Sequence, residues 1–314
     1  MNAITDRGRT PQATSRFARS PSLRSSRGAK ASKRARTLWR VEIQGHRGAR
    51  GLWPENTLPG FARTLELGVD VLELDVALTA DGVPVLHHDQ SLNGGVVRDR
   101  GPCRPRDPMF PYVGRPIGEL TLAQIKTLDA GIQNKRFAST QTPIPGAEVP
   151  TLAEVCELVA PHDVRLAVEI KTDPSWPDVE TITVAAVKVL ESYGLTERSR
   201  LLAFDWRVLA VAGELLPGGQ RVALVEPDTL DASWLAGRDP AGGLAAAAAD
   251  AGATMISPKR VMVIPELVAA AHARDLRVVP WTVNDPVEMA RHIAFGVDAI
   301  VTDYPDRLRT VLGR

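Results

Sequence analysis

A chain of 314 residues with 44% apolar content can bury a large core, and one α/β barrel of about 250 residues fits inside it. The sequence has no run of about 18 apolar residues, so no transmembrane segment is expected, and two cysteines, Cys103 and Cys156, are too few for a disulfide framework. The net charge of +1 conceals an asymmetry: residues 1–40 hold 11 Lys or Arg and one acid, Asp6, leaving 27 basic against 36 acidic residues beyond them, net −9.

Residues 1–40 are rich in Arg, Ser and Thr and show no apolar period before Leu38-Trp39. Such a segment cannot bury enough apolar surface to offset its ordering entropy, so it reads as a disordered basic tail. Charge alone is poor evidence for a partner, and no nucleic acid is expected. The apolar stretch of about 7 to 15 residues that a secretory signal needs is absent, so the chain reads as cytoplasmic as it stands. The tail's basic, acid-poor composition also resembles an organelle transit peptide or an extension from a misplaced start codon.

From residue 41 onward, strand-like and helix-like runs alternate, the pattern of βα units on a parallel sheet. The strand candidates are Val41 to Gly45, Val69 to Leu78, Arg165 to Lys171, Leu201 to Phe204, Arg221 to Val225, Thr254 to Ser257, Leu276 to Val283 and Ala299 to Thr302. Helix candidates follow them at Thr57 to Leu67, Thr151 to Ala160, Val179 to Ser192, Val208 to Leu216, Leu244 to Ala251, Pro265 to Arg274, Pro286 to Phe295 and Pro305 to Leu312. Several begin with Pro or follow Thr, Asn or Asp, sound N-terminal signals. Eight units, with no Gly-x-Gly-x-x-Gly turn after the first strand, predict a closed (β/α)8 TIM barrel over residues 41–314. Asn93 to Pro150 breaks the rhythm with many Pro and Gly and one helical piece, Thr121 to Asp129. It reads as an insertion after the second strand, covering the mouth of the site, with Val83 to His87 a short strand leading into it.

The chemistry lies in His46-Arg47-Gly48, Pro54 to Thr57, Glu73-Leu74-Asp75, His87-His88-Asp89 and Glu169-Ile170-Lys171. Residues two apart on a strand share a side, so Glu73 pairs with Asp75, and Glu169 with Lys171. A barrel gathers strand C-termini on one face, which brings His46, Glu73, Asp75 and Glu169 to one place. Three converging carboxylates repel unless something positive sits between them, and oxygen ligands of this kind suit Mg2+ or Ca2+ rather than zinc. Asp75, in a near-continuous apolar run, is costly unless paired or metal-bound.

These blocks, in this order, resemble the glycerophosphodiester phosphodiesterase family, with the likeness spanning residues 41 to 312. The resemblance implies metal-dependent hydrolysis of a small glycerophosphodiester to glycerol 3-phosphate and an alcohol. It implies that His46 and His88 both serve proton transfer, the choice of acid and base being open. Arg47 and Lys171 would add positive charge at the phosphate, although Lys171 can instead pair with Glu169. Glu55 reads as support for Arg47 and His46, or as part of a helix N-terminus. Trp281, in Trp281-Thr282-Val283-Asn284, would pack on glycerol carbons or simply fill the barrel rim, and Asp303 reads as structural. His87 is expected to face away from the site; His162, His272 and His292 are ordinary surface or core residues, and Cys156 a small core residue. Ile144 to Val155 resembles exported bacterial members. Two rival functions remain: lysophospholipase D action on lysolipids, which needs an apolar channel, and a binding protein on a barrel that has lost its chemistry.

Overall fold

The computed structural model describes residues 40–314, so the expected tail lies, apart from Arg40, outside the described residues. Eight strands alternate with eight main helices: β1 (Glu42–Gly45), α1 (Leu58–Glu66), β2 (Val71–Leu78), α2 (Leu152–Val159), β3 (Arg165–Ile170), α3 (Glu180–Ser192), β4 (Ser199–Ala203) and α4 (Arg207–Leu215) form the first half. The second half is β5 (Gln220–Val225), α5 (Leu244–Asp250), β6 (Met255–Pro258), α6 (Pro265–His272), β7 (Arg277–Val278), α7 (Pro286–Phe295), β8 (Ala299–Thr302) and α8 (Pro305–Val311). From β1 to β7 each strand pairs in parallel with its neighbour in sequence, and β8 pairs in parallel with β1. Hydrogen bonds between the last two strand segments close the ring: Asp298 N–H to Val278 O at 2.9 Å, Val301 N–H to Pro280 O at 3.0 Å and Val283 N–H to Val301 O at 2.9 Å. The expected (β/α)8 barrel is the observed fold.

Alternation along the strands divides the core in two. Val71, Ala167, Leu202, Val222, Met255 and Val279 point inward and fill the barrel, while Ile43, Leu72, Leu74, Val168 and Leu201 point outward under the helices. Both faces are covered, which is why β2 is buried at seven of its eight positions and reads as a continuous apolar run broken only by its two acids. Truncating a fully buried residue such as Leu74 to Ala would cost about 2 to 5 kcal/mol.

Helix starts follow their sequence signals. Thr57 Oγ1 accepts the N–H of Gly60 at 3.2 Å ahead of α1; Thr151 and Glu154 form a reciprocal capping box on α2; and Asp285 accepts the N–H groups of Val287 and Glu288 on α7. Two expected elements are shorter than the periodicity suggested. Of Leu276 to Val283, only Arg277–Val278 is regular strand, because Pro280 has no N–H to give the ladder. Of Thr121 to Asp129, only Leu122–Ile125 is helix. Leu128–Asp129 instead pairs antiparallel with Arg98–Asp99, because the buried Asp129 carboxylate takes the N–H groups of Gly131 and Gly146 and the guanidinium of Arg98.

Between β2 and α2, Pro84–Leu86 adds an antiparallel strand to β2, and residues 87–150 carry their own apolar cluster around Leu92, Tyr112, Ile117 and Leu120. Gln141 Nε2 donates to Arg50 O at 2.7 Å and Trp53 O at 3.1 Å, fastening this segment to the loop after β1. No helix among the described residues is long and apolar enough to cross a membrane.

Candidate active site

The loop leaving β1 sets the site's backbone. His46 N–H extends the ladder to Thr302 O at 2.9 Å, and the chain then turns sharply at Gly48, φ 86°. A Cβ on Gly45 would stand 2.2 Å from Gly48 O, so only glycine admits this turn. Arg47, at φ 50°, is held in the left-handed region by its N–H, which donates to Glu73 Oε2 at 2.7 Å. Backbone strain of this kind persists only where the surroundings fix it.

Glu73 and Asp75 project from β2, and Glu169 on β3 is the direct register partner of Asp75. All three are buried, and one oxygen from each lies within 4.8 Å of the others. Glu73 Oε1 and Asp75 Oδ1 are buried with no hydrogen-bond partner among the described residues. Burial and the adjacent charges of Asp75 and Glu169 push the Glu73 carboxyl well above the usual carboxylate range. Burial acts on Asp75 in the same sense, but Arg47 and Lys171 outweigh it and hold that carboxyl well below its usual range. Carboxylates this close, two with orphaned oxygens, are a donor set matched to a hard divalent cation.

Two cations flank the acids. Arg47 Nη1 donates to Glu55 Oε1 at 2.6 Å and its Nε lies 3.1 Å from Asp75 Oδ2. Lys171 Nζ lies 2.5 Å from Glu169 Oε1 and 3.5 Å from Asp75 Oδ1. Asn56 Nδ2 donates to Asp75 Oδ2 at 2.9 Å. Glu55 thus holds Arg47, and Lys171 is committed to the acids.

Each of two imidazoles has its Nδ1 held by a carboxylate: His46 by Asp303 Oδ1 at 2.6 Å and His88 by Asp89 Oδ1 at 2.7 Å. A histidine anchored in this way is set in tautomer and orientation, with Nε2 left for other work. Burial, then the guanidinium of Arg50, lowers the His46 pKa to about 4 against the pull of Asp303. Asp303 also accepts from Arg50 Nε and Asn284 Nδ2, each at 2.7 Å.

These groups open into a cavity of about 400 Å³ at the C-terminal end of the barrel. Arg47, Glu55, Glu73, Glu169 and both anchored histidines line it on the polar side; Leu202, Phe204, Leu224 and Trp281 line the other. Trp281 Nε1 donates to Ser257 O at 2.9 Å and the ring meets Phe204 edge-on at 5.4 Å. Residues 93–150 contribute Asn93, Val96, Asn134 and Arg136 to the rim. His87 is turned aside, its Nε2 accepting the N–H of Asn93 at 3.1 Å. His272 pairs with Asp298 and His292 with backbone carbonyls, and neither they nor His162 line the cavity. Asp75, a member of the carboxylate cluster, and Lys171, paired with it, do not line the cavity itself.

Sequence reasoning left out Arg50 and Asn284 and gave Asp303 a structural role. Charged Asp303 at the end of an apolar strand carried the same signal that singled out Asp75.

A (β/α)8 barrel with acids, guanidinium groups and anchored imidazoles at its strand C-termini defines an enzyme of the TIM-barrel class. The model of the glycerophosphoryl diester phosphodiesterase family matches residues 46–307. A glycerophosphodiester phosphodiesterase from Caldanaerobacter subterraneus subsp. tengcongensis is 33% identical over 85% of this chain and 95% of its own. A crystal structure from Silicibacter pomeroyi, a candidate glycerophosphoryl diester phosphodiesterase, is 36% identical with a TM-score of 0.76, covering 87% of this chain and 92% of that one. A phosphodiesterase from Oleispira antarctica, solved in complex with the product sn-glycerol-3-phosphate, shares the fold at 23% identity, with a TM-score of 0.68 and coverage of 87% and 97%. The chain therefore belongs to the glycerophosphoryl diester phosphodiesterase family and is a phosphoric diester hydrolase.

Proposed function

We propose that this enzyme hydrolyses glycerophosphodiesters to sn-glycerol 3-phosphate and an alcohol, with one divalent cation, Mg2+ or Ca2+, held by Glu73, Asp75 and Glu169. The observation that carries the reading is the trio of buried carboxylates with two unpartnered oxygens. When bound, the cation offsets charge that builds on the phosphate oxygens. Arg47, on the cavity wall, offers a guanidinium to the phosphate, and Glu55 keeps it there. Lys171 tempers the repulsion among the acids. His46 and His88 move protons at their Nε2 atoms, one taking a proton from the nucleophile and one giving a proton to the departing alkoxide oxygen. Trp281 and Phe204 supply an apolar wall for glycerol carbons. Residues 93–150 are read as an insertion that rims the cavity.

At about 400 Å³ the cavity is at the small end of ligand sites, which favours soluble glycerophosphodiesters over lysolipids with a long acyl chain. Purified enzyme given glycerophosphocholine with Mg2+ or Ca2+ should release choline, EDTA should stop it, and an acylated lysolipid should turn over more slowly. His46→Ala and His88→Ala should each lower kcat by about 10²-fold or more. Absence of turnover on any glycerophosphodiester with either metal would overturn the assignment.

A further inference from the structure

A charged layer closes the barrel at the end opposite the cavity. Inward positions recur every second residue, so Arg165, Arg200, Gln220 and Arg277 share the interior face with Ala167, Leu202, Val222 and Val279 of the apolar filling. Each stands at or next to the first residue of its strand. Glu42, first in β1, lies two residues before Gln44, which lines the catalytic cavity.

Three guanidinium groups close on the one carboxylate of Glu42. Arg200 Nη2 lies 2.5 Å and Arg277 Nη2 3.1 Å from its Oε2, and Arg165 Nη1 lies 3.6 Å from its Oε1. Arg200 Nε donates to Gln220 Oε1 at 2.9 Å. Arg200 Nη1 and Arg277 Nε are buried with no hydrogen-bond partner among the described residues. The Arg200 side chain is 1% exposed, and a buried charge is costly unless paired and hydrogen-bonded. One carboxylate leaves two of the three positive charges without a partner in the cluster. Burial and the nearby Arg277 and Arg165 outweigh Glu42 and lower the Arg200 pKa from its usual value, as expected for a group short of negative charge.

We propose that this cluster is a second binding site, for a small oxyanion of the phosphate or sulfate kind. The guanidinium fork matches tetrahedral oxyanions better than a spherical halide. Arg165 and Arg277, 49% and 25% exposed, give the anion its approach from solvent, and their side chains turn with it to bring donors to bear. Because the arginines belong to the paired strands β3 and β4 and to β7, which pairs with neither of them, a bound anion ties β7 to strands it does not meet in the pairing order. The apolar filling separates this site from the catalytic cavity, so occupancy stabilises the barrel without competing for substrate.

The test is thermal melting of the full-length enzyme titrated with sodium sulfate against sodium chloride at matched ionic strength. Sulfate should raise the wild-type Tm saturably and further than chloride, whereas general salting-out rises without saturating. The double variant R165Q/R277Q should lose at least tenfold in apparent sulfate affinity, and Arg50→Gln, at the catalytic end, should keep the shift. Should the double variant fail to fold, Arg165→Gln alone, at a half-exposed side chain, reads the same difference. Equal shifts with chloride and sulfate, no saturation in wild type, or an unchanged shift in the arginine variants would overturn the proposal.

Discussion

His46 Nδ1 stands 2.6 Å from Asp303 Oδ1, a contact between residues 257 positions apart that join the ends of adjacent strands β1 and β8. Asp303 is fully buried and also receives Arg50 and Asn284, so it orients an imidazole and a guanidinium together. Asp303→Asn keeps the volume but loses the charge that holds both. The predicted result is a kcat lower by about 10- to 100-fold with a smaller change in KM, measured on glycerophosphocholine, and a native circular dichroism spectrum. Unaltered kcat would show that Asp303 is structural only.

Glu73 sits against two other carboxylates, and that repulsion is the cost of the site without a cation. In metal-free protein, Glu73→Gln should therefore raise stability by about 1 kcal/mol, a Tm gain of roughly 2 to 4 °C in a chain of this size. Added Mg2+ or Ca2+ should raise the Tm of wild type and have little effect on the variant. A variant that melts lower than metal-free wild type, or responds to the ion equally, contradicts the assignment of Glu73 as a ligand.

Trp281 is fixed by Ser257 O and Phe204, so its ring presents a rigid wall to the cavity. If the proposed wall for glycerol carbons is right, Trp281→Leu removes apolar contact worth about 1 to 3 kcal/mol, a loss of roughly 10- to 200-fold in kcat/KM. The loss should fall mainly on KM, because in the proposed role the residue touches no reacting atom. Steady-state kinetics at saturating metal separates the two parameters; an effect confined to kcat would be evidence against a binding wall.

The two cysteines should differ in reactivity. Cys103 is exposed, whereas Cys156 is fully buried in α2, and burial pushes its thiol up to about 12. Only the thiolate reacts, so at pH 8 the native enzyme should titrate one thiol with a disulfide reagent and the denatured enzyme two. Rapid labelling of Cys156 in the native state would show that α2 opens readily.

Much of the architecture was legible because its signals are local. Apolar runs alternating with helical ones marked the strands, and Thr, Asp and Pro marked the helix starts. Acids inside the apolar run of β2 marked Glu73 and Asp75, and parity set them on one side. Local signals misread Leu276 to Val283, where a proline without a donor interrupts the strand, and Thr121 to Asp129, where a buried aspartate turns the chain. The role of Lys171 was likewise divided between phosphate and Glu169, and its ammonium group rests on Glu169 and Asp75.

The sequence by itself determined the barrel class, the order of its units and which strand ends carry acids, since each follows from spacing within a few residues. Tertiary structure alone decided that Asp303 meets His46 and also takes Arg50 and Asn284, and that three arginines from separate strands share Glu42. Those contacts depend on closure of the ring, which sets β8 beside β1 and fixes which inward side chains fall in one layer. No periodicity along the chain encodes a distance across it.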